Sequence, residues 1–206
     1  MSSIQFSGCW AGTHSYVNSR KFLSFLLTVF FPVVSIACLT ASVFSYDGST
    51  RDVKLIPWLI TRTSPHDYYG LLGFILNGNP YRSYLSPACI QYFCYDCQNA
   101  GTVSFALNLT SLSLAFCFLI FAAFRISNNT RNLKWICLML ALLSCVCSGT
   151  SYSYFHTVCH KPLLDAGHNN VAHGHGMNLT LTGFVFVGLA LGLSAVIDFD
   201  ISADPK

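Results

Sequence analysis

The sequence contains no glutamate and has few charged residues of any kind. Its acidic residues are eight aspartates, and charged residues make up 9% of the 206 positions, against about 25% in a typical soluble domain. The 11 basic residues are scattered along the chain, so no basic stripe for phosphates is present. This composition argues against a soluble domain, a nucleic-acid-binding protein and a disordered tail. We expect the lipid bilayer as a partner and no nucleic acid.

Groups that would carry catalysis are also missing. The sequence has no G-x-S-x-G, HExxH or P-loop motif. Its long apolar runs contain no Asp, Lys, Arg or His, and such residues mark the ion pathways of pumps and coupled transporters. We therefore expect a protein that is not an enzyme and that needs no cofactor, with zinc as the one alternative.

Four long apolar runs carry no charge. They cover residues 22–45, 103–124, 135–155 and 177–197. Each run is long enough to cross a hydrocarbon core about 30 Å thick, for which about 20 residues suffice. Hydrophobic residues make up 53% of the chain, and the mean hydropathy is +0.52. The sequence predicts an all-α membrane protein, with residues 1–206 forming one four-helix bundle.

The basic residues predict the orientation of the bundle. A basic pair precedes the first run, and three basic residues lie in or beside the 125–134 link, whereas the link between the last two runs holds only Lys161. By the positive-inside rule, both termini and the 125–134 link are cytoplasmic. Residues 46–102 and 156–176 then form the outer loops. We expect a multi-pass protein of the plasma membrane rather than of an internal membrane.

The long outer loop is apolar enough to fold. Residues 53–62 and 81–95 are predicted to form short strands interrupted by proline. Residues 66–77 are predicted to form a short helix, lying on the membrane surface. We expect a small, partly β outer region that covers the outer ends of the helices.

Ten cysteines divide into two main groups by position. Those inside the predicted spans are expected to be free thiols that pack as small apolar side chains. They are Cys38, Cys117, Cys137, Cys145 and Cys147.

The remaining outer cysteines are Cys89, Cys94, Cys97 and Cys159. An oxidising outer compartment favours disulfides among them, and four cysteines allow three pairings. We favour Cys89–Cys97 together with Cys94–Cys159. A pairing that joins Cys94 to Cys97 is the strained alternative.

A metal site is the rival interpretation of the same loops. Cys94-Tyr-Asp-Cys97 has the spacing of zinc ligands, and the second outer loop is rich in histidine, starting at His156. The candidate zinc ligands are Cys94, Cys97, Cys159, His160, His173 and His175.

Small residues predict the packing faces of the last two helices. Gly188-x-x-x-Gly192 is a close-approach pattern that is typical of membrane helices, with Gly183 on the same helix and Ser144 and Ser148 on the preceding one. These faces pack within one bundle or, alternatively, against a second subunit. Asn108, in the second span, is expected to form hydrogen bonds across helices.

Three short motifs carry a resemblance to a known family. They are Lys-Trp-Ile-Cys-Leu at 134–138, Cys-His-Lys-Pro-Leu at 159–163 and Cys-Ile-Gln-Tyr-Phe at 89–93. With the four-span layout, they make the chain resemble the claudin-like four-helix proteins, and among these the amastins, which are trypanosomatid surface proteins. The chain lacks the claudin Trp-x-x-Trp pattern and the Trp-Gly core of the amastin signature. The resemblance implies inside termini and a small sheet with a cysteine pair in the first outer loop.

Three functions fit these observations. The first is a non-enzymatic surface or structural protein that makes contacts through its outer loops. The second is an accessory subunit of a larger membrane complex, with other membrane proteins as partners in a homo- or hetero-oligomer. The third is a metal-handling membrane protein that uses the outer cysteines and histidines.

Overall fold

The structure is a computed structural model that describes residues 29–44, 50–62, 65–76, 79–85, 93–127, 130–165 and 170–196. Three of its helices are long and apolar enough to cross a membrane. They are α3 (Phe93–Ser127), α4 (Arg131–Phe155) and α6 (His175–Val196). The short helix α5 (Lys161–Asp165) lies between α4 and α6. The apolar helix α1 is described over Val29–Val43, and the first part of the predicted span 22–45 lies outside the described residues. Three of the four predicted spans are therefore present at the expected places.

Helix α3 begins at Phe93 rather than at residue 103. Its 35 residues span about 52 Å at 1.5 Å each, which exceeds the ~30 Å hydrocarbon core. The extra turns bury Phe93, Cys94, Cys97 and Ala100, and this spacing is that of one helix face. The predicted strand over 81–95 is therefore wrong at its end, because residues 93–95 continue the helix into the outer region.

A five-stranded antiparallel sheet covers one end of the helices, the end that the sequence predicts to be the outer one. Its order is β4-β3-β2-β1-β5. The strands are β1 (Leu59–Thr61), β2 (Tyr68–Tyr69), β3 (Gly73–Ile75), β4 (Arg82–Ser83) and β5 (Val171–His173). Strand β5 comes from the second outer loop, so the sheet joins the two loops.

Two local predictions for the first outer loop are wrong. The predicted helix over 66–77 is the hairpin β2–β3, in which Tyr68 pairs with Ile75 and the Gly70 amide donates to the Gly73 carbonyl at 2.8 Å. The predicted strand over 53–62 is a strand only at β1, and helix α2 (Thr50–Leu55) precedes it. A Cβ on Gly73 would lie 2.3 Å from the Arg82 carbonyl oxygen, so the hairpin needs glycine there to let β4 approach.

Trp58 fixes this outer cap onto the helices. We use "cap" for the sheet with α2, the outer turns of α3 and the 156–165 segment. Trp58 is fully buried, its ring centroid lies 4.7 Å from that of Phe155 in α4, and its indole N–H donates to the Ser42 carbonyl at 2.9 Å. Ser42 lies near the end of the described part of α1, so this hydrogen bond ties Trp58 to that helix. A Cβ on Gly176 would lie 2.5 Å from the indole ring, so α6 can pack this closely against Trp58 only because residue 176 is a glycine.

Reciprocal serine pairs join α3 to α4. The hydroxyls of Ser111 and Ser144 each donate to the other's carbonyl, at 2.8 and 2.9 Å. One heptad further out, Ser104 and Ser151 do the same at 3.1 Å. Small side chains let these backbones approach closely. Ser144 therefore packs against α3 rather than against the glycines of α6, and Ser148 is buried beside it, donating to the Ser144 carbonyl at 2.9 Å.

A second polar contact joins three helices in the interior. The Asn108 amide of α3 donates to the Ser42 hydroxyl of α1 at 3.4 Å and to the Thr180 hydroxyl of α6 at 3.2 Å. All three side chains are fully buried. The predicted hydrogen bonding of Asn108 across helices is therefore confirmed.

The glycines of α6 differ in what they touch. A Cβ on Gly183 would lie 2.9 Å from the Leu39 side chain, and the Gly183 carbonyl accepts from the Ser35 hydroxyl at 2.9 Å. A Cβ on Gly188 would meet an α4 side chain only at 3.9 Å, and one on Gly192 would meet nothing within 4 Å among the described residues. Among the described residues, close approach therefore occurs at Gly183 and not at the Gly188-x-x-x-Gly192 pattern, whose contact with a second subunit stays a prediction.

Candidate functional site

A disulfide joins the beginning of α3 to the π-helical turn that follows α4. The bond links Cys97 to Cys159, whose Cα atoms lie 4.5 Å apart, and both residues are fully buried. Cys94 is also disulfide-bonded, and Cys89 lies outside the described residues. The predicted disulfide-tied outer region is confirmed by the Cys97–Cys159 bond, and so are the free thiols in the spans.

The pairing favoured from the sequence is wrong. Cys97 bonds to Cys159. Both bonds of the favoured set, Cys89–Cys97 and Cys94–Cys159, are therefore excluded, and so is the alternative Cys94–Cys97. The reason is the helical start of α3. Cys97 stands one heptad before Ser104, on the seam that faces α4, and residues seven apart share a helix face.

The disulfides change the candidate metal site. Zinc binds the thiolate form of cysteine, and Cys94, Cys97 and Cys159 are oxidised. The predicted mixed cysteine–histidine site is therefore wrong in its cysteines. His175 is exposed at the start of α6 and does not belong to the histidine group described next.

The structure brings together His156, His160 and His173. Each offers one ring nitrogen, and these nitrogens lie within 4.8 Å of one another. The ring centroids are 5.0 Å apart for His156 and His160, 4.9 Å for His160 and His173, and 5.5 Å for His156 and His173. We call these three residues the histidine cluster. Two of its members, His160 and His173, are among the residues proposed from the sequence.

Two elements position the cluster. His156 and His160 begin and end the π-helical turn His156–His160, which follows α4 without a break; such turns are rare and often lie at functional sites. His173 ends the edge strand β5, opposite Leu59 of β1. The sequence shows the His-x-x-x-His spacing that places 156 and 160 on neighbouring positions of a helix, but it does not predict the extension of α4. His156 belongs to the histidine-rich loop noted in the sequence, although it is not in the ligand set selected there.

His160 is held in one tautomer. It is 6% exposed, and its Nε2 lies 3.3 Å from the Val171 carbonyl oxygen. A carbonyl only accepts hydrogen bonds, so Nε2 carries the proton and Nδ1 carries a lone pair. Nδ1 is buried and has no hydrogen-bond partner among the described residues, which leaves that lone pair available to an ion.

His173 is held between the cluster and Tyr152. Its Nδ1 lies 3.5 Å from the Tyr152 hydroxyl, and the two rings meet edge to face with centroids 5.8 Å apart. Burial lowers the pKa of the His173 imidazole, and the neighbouring His156 lowers it further. Both effects favour the neutral ring, which is the form that binds metals.

A second feature, an open groove, lies between α4 and α6, on the part of α4 that precedes the histidine cluster. It has a volume of about 520 Å³. Gly149, Thr150, Ser153 and Phe184 are among its lining residues. Hydroxyl groups on the outside of an apolar helix are unusual for a surface that meets only lipid.

No protein-family model matches the chain, and no curated protein is significantly similar to it. The resemblance to the claudin-like proteins and the amastins therefore stays a prediction from the sequence.

Proposed function

We propose that this chain is a non-enzymatic, multi-pass membrane protein that acts through its outer cap as a surface or interaction protein. The observation that carries the proposal is the cap itself, which is folded, covalently tied and attached to the helices by buried contacts. A loop that merely connected two spans would have no need of such a core.

The cap is built to keep its shape. Its interior is a cluster of large buried side chains, in which Phe93 packs against Tyr69 at 6.0 Å and against Phe74 at 5.7 Å between centroids. The Cys97–Cys159 bond holds the two outer loops together. A preorganised surface loses little conformational entropy on binding, which suits a contact protein.

The cap also presents large side chains to the outside. Leu55, Leu85 and Tyr95 are 64%, 66% and 76% exposed. They lie at the end of α2, after β4 and in the first turn of α3, outside the predicted spans. Tyrosine is enriched where proteins meet other proteins. We place these three side chains outside the plasma membrane and both termini in the cytoplasm, because the basic residues favour that orientation.

A second candidate function is that of an accessory subunit in a larger membrane complex. The groove between α4 and α6 favours it, since Thr150 and Ser153 face outward there. Gly192, which no described residue approaches within 4 Å of its Cβ position, would likewise admit a helix from another subunit.

Photo-crosslinking in intact cells separates these functions. A photoreactive residue is placed at Tyr95 on the cap, at Thr150 in the groove or at Phe116 on a plain lipid-facing part of α3. The first proposal expects a protein adduct from position 95 and only lipid adducts from 150 and 116. The accessory-subunit function expects the protein adduct from position 150.

The control at Phe116 decides whether an adduct is specific. Phe116 is 55% exposed and contributes to neither surface. Equal capture of protein from all three positions, or from none, would count against both functions.

A further inference from the structure

We propose that the histidine cluster is a binding site for a divalent transition-metal ion of the zinc class. The site consists of His156, His160 and His173, which come from two different elements and offer three nitrogens within 4.8 Å of one another. The inference does not depend on the proposed interaction function of the cap.

His160 provides the strongest support. A metal-bound histidine nearly always donates its other ring N–H to a carbonyl, carboxylate or water, which orients the ring toward the ion. The contact between Nε2 and the Val171 carbonyl has this form. It leaves Nδ1 buried with no hydrogen-bond partner among the described residues, and burying a polar atom in that state is unfavourable. An ion at Nδ1 would remove that cost.

The geometry is close to that of a coordinated site. Zinc lies about 2.0–2.1 Å from its histidine nitrogens, which places the nitrogens of a tetrahedral site about 3.4 Å apart. The widest separation in the cluster, 4.8 Å, must therefore shorten by roughly 1.4 Å. His156 and His173 are only half-buried, so rotation of their rings can bring the nitrogens together around a fixed His160.

The ligand set selects the class of ion. Neutral imidazoles suit zinc, copper and nickel, whereas magnesium and calcium require oxygen ligands. Among the described residues the group contains histidines only. Three protein ligands leave the fourth position of a tetrahedral ion open. The Tyr152 hydroxyl lies 3.5 Å from His173 Nδ1 and would act as an outer-shell partner of that ligand. A bound ion would tie the end of α4 to strand β5.

Calorimetric titration with Zn²⁺ tests the proposal. The full-length protein is purified in detergent, and its free thiols are alkylated so that they cannot bind the ion. We expect one Zn²⁺ per chain, with the affinity at least tenfold weaker in His156→Gln and in His173→Gln, because even outer-shell partners are worth about 10- to 100-fold. Zn²⁺ should also raise the melting temperature of the parent protein.

His175→Gln is the matched control. His175 lies two residues beyond His173, at the start of α6, but is exposed and outside the cluster, so its variant should bind Zn²⁺ as the parent does. Non-reducing peptide mapping of the Cys97–Cys159 bond confirms that each variant folds. Absence of millimolar or tighter binding by the parent would overturn the proposal. A loss of less than tenfold in either folded cluster variant, or an equal loss in His175→Gln, would overturn it as well.

Discussion

Replacing Trp58 tests whether the cap is fastened to the bundle through a single buried side chain. The Trp58→Phe variant loses the hydrogen bond from the indole N–H to the Ser42 carbonyl, a contribution of about 1 kcal/mol. It also loses the larger ring against Phe155 and the Gly176 backbone, and partial loss of a buried side chain costs about 1–2 kcal/mol. We expect the free energy of unfolding to fall by about 2–3 kcal/mol, on the sum of these two contributions.

Trp135 offers a matched control for this measurement. It lies in the first turns of α4 and is 57% exposed, so Trp135→Phe should change stability by no more than about 0.5 kcal/mol. Both variants are unfolded by titration in mixed micelles and followed by circular dichroism. If Trp58→Phe were as stable as Trp135→Phe, Trp58 would not fasten the cap, and the packing described around it would be wrong.

Further predictions concern the bundle, the disulfide and the orientation. Gly183→Leu should destabilise the protein by about 1–3 kcal/mol through overpacking against α1, whereas Gly192→Leu should melt like the parent; equal melting temperatures would place α6 elsewhere. Cys97→Ala and Cys159→Ala should each lower stability by about 2–5 kcal/mol, and the double variant should lose no more than either single one, since a larger loss would mean separate roles. Asn129→Cys should resist an impermeant thiol reagent in intact cells, because the surrounding basic residues favour the cytoplasm; strong labelling would reverse the orientation.

The sequence was sufficient to locate the helices because hydropathy is a local property. A run of apolar residues long enough to cross the bilayer has no stable alternative to a helix there. Helix α4 covers Arg131–Phe155 against the predicted 135–155, with a helical extension beyond Phe155 that was not predicted, and α6 covers His175–Val196 against the predicted 177–197. The free thiols of the spans followed from the same argument.

The outer cap could not be predicted in this way. Residues 66–77 have an apolar pattern that fits a surface helix, but in the protein they form a hairpin, because the neighbouring strands β1 and β4 supply hydrogen-bond partners on both sides. At the start of α3, packing has the opposite result, because a segment predicted as a strand is a helix. Its outer turns are helical because Cys97 and Ala100 pack against the rest of the cap, and no local sequence pattern near Phe93 predicts that packing.

The sequence by itself determined that the chain has helices long and apolar enough to span a membrane, a folded region between them and cysteines there that form a disulfide, since each follows from composition and from position along the chain. Only the tertiary structure decided which cysteine bonds to which, because the pairing depends on the rotation of α3 that turns Cys97 toward Cys159. The same holds for the candidate metal site. The histidines are visible in the sequence, but the disulfide removes the cysteines, and the pairing of β5 with β1 brings His173 to His156 and His160. Contacts between residues far apart in the chain are set by packing, which no local pattern records.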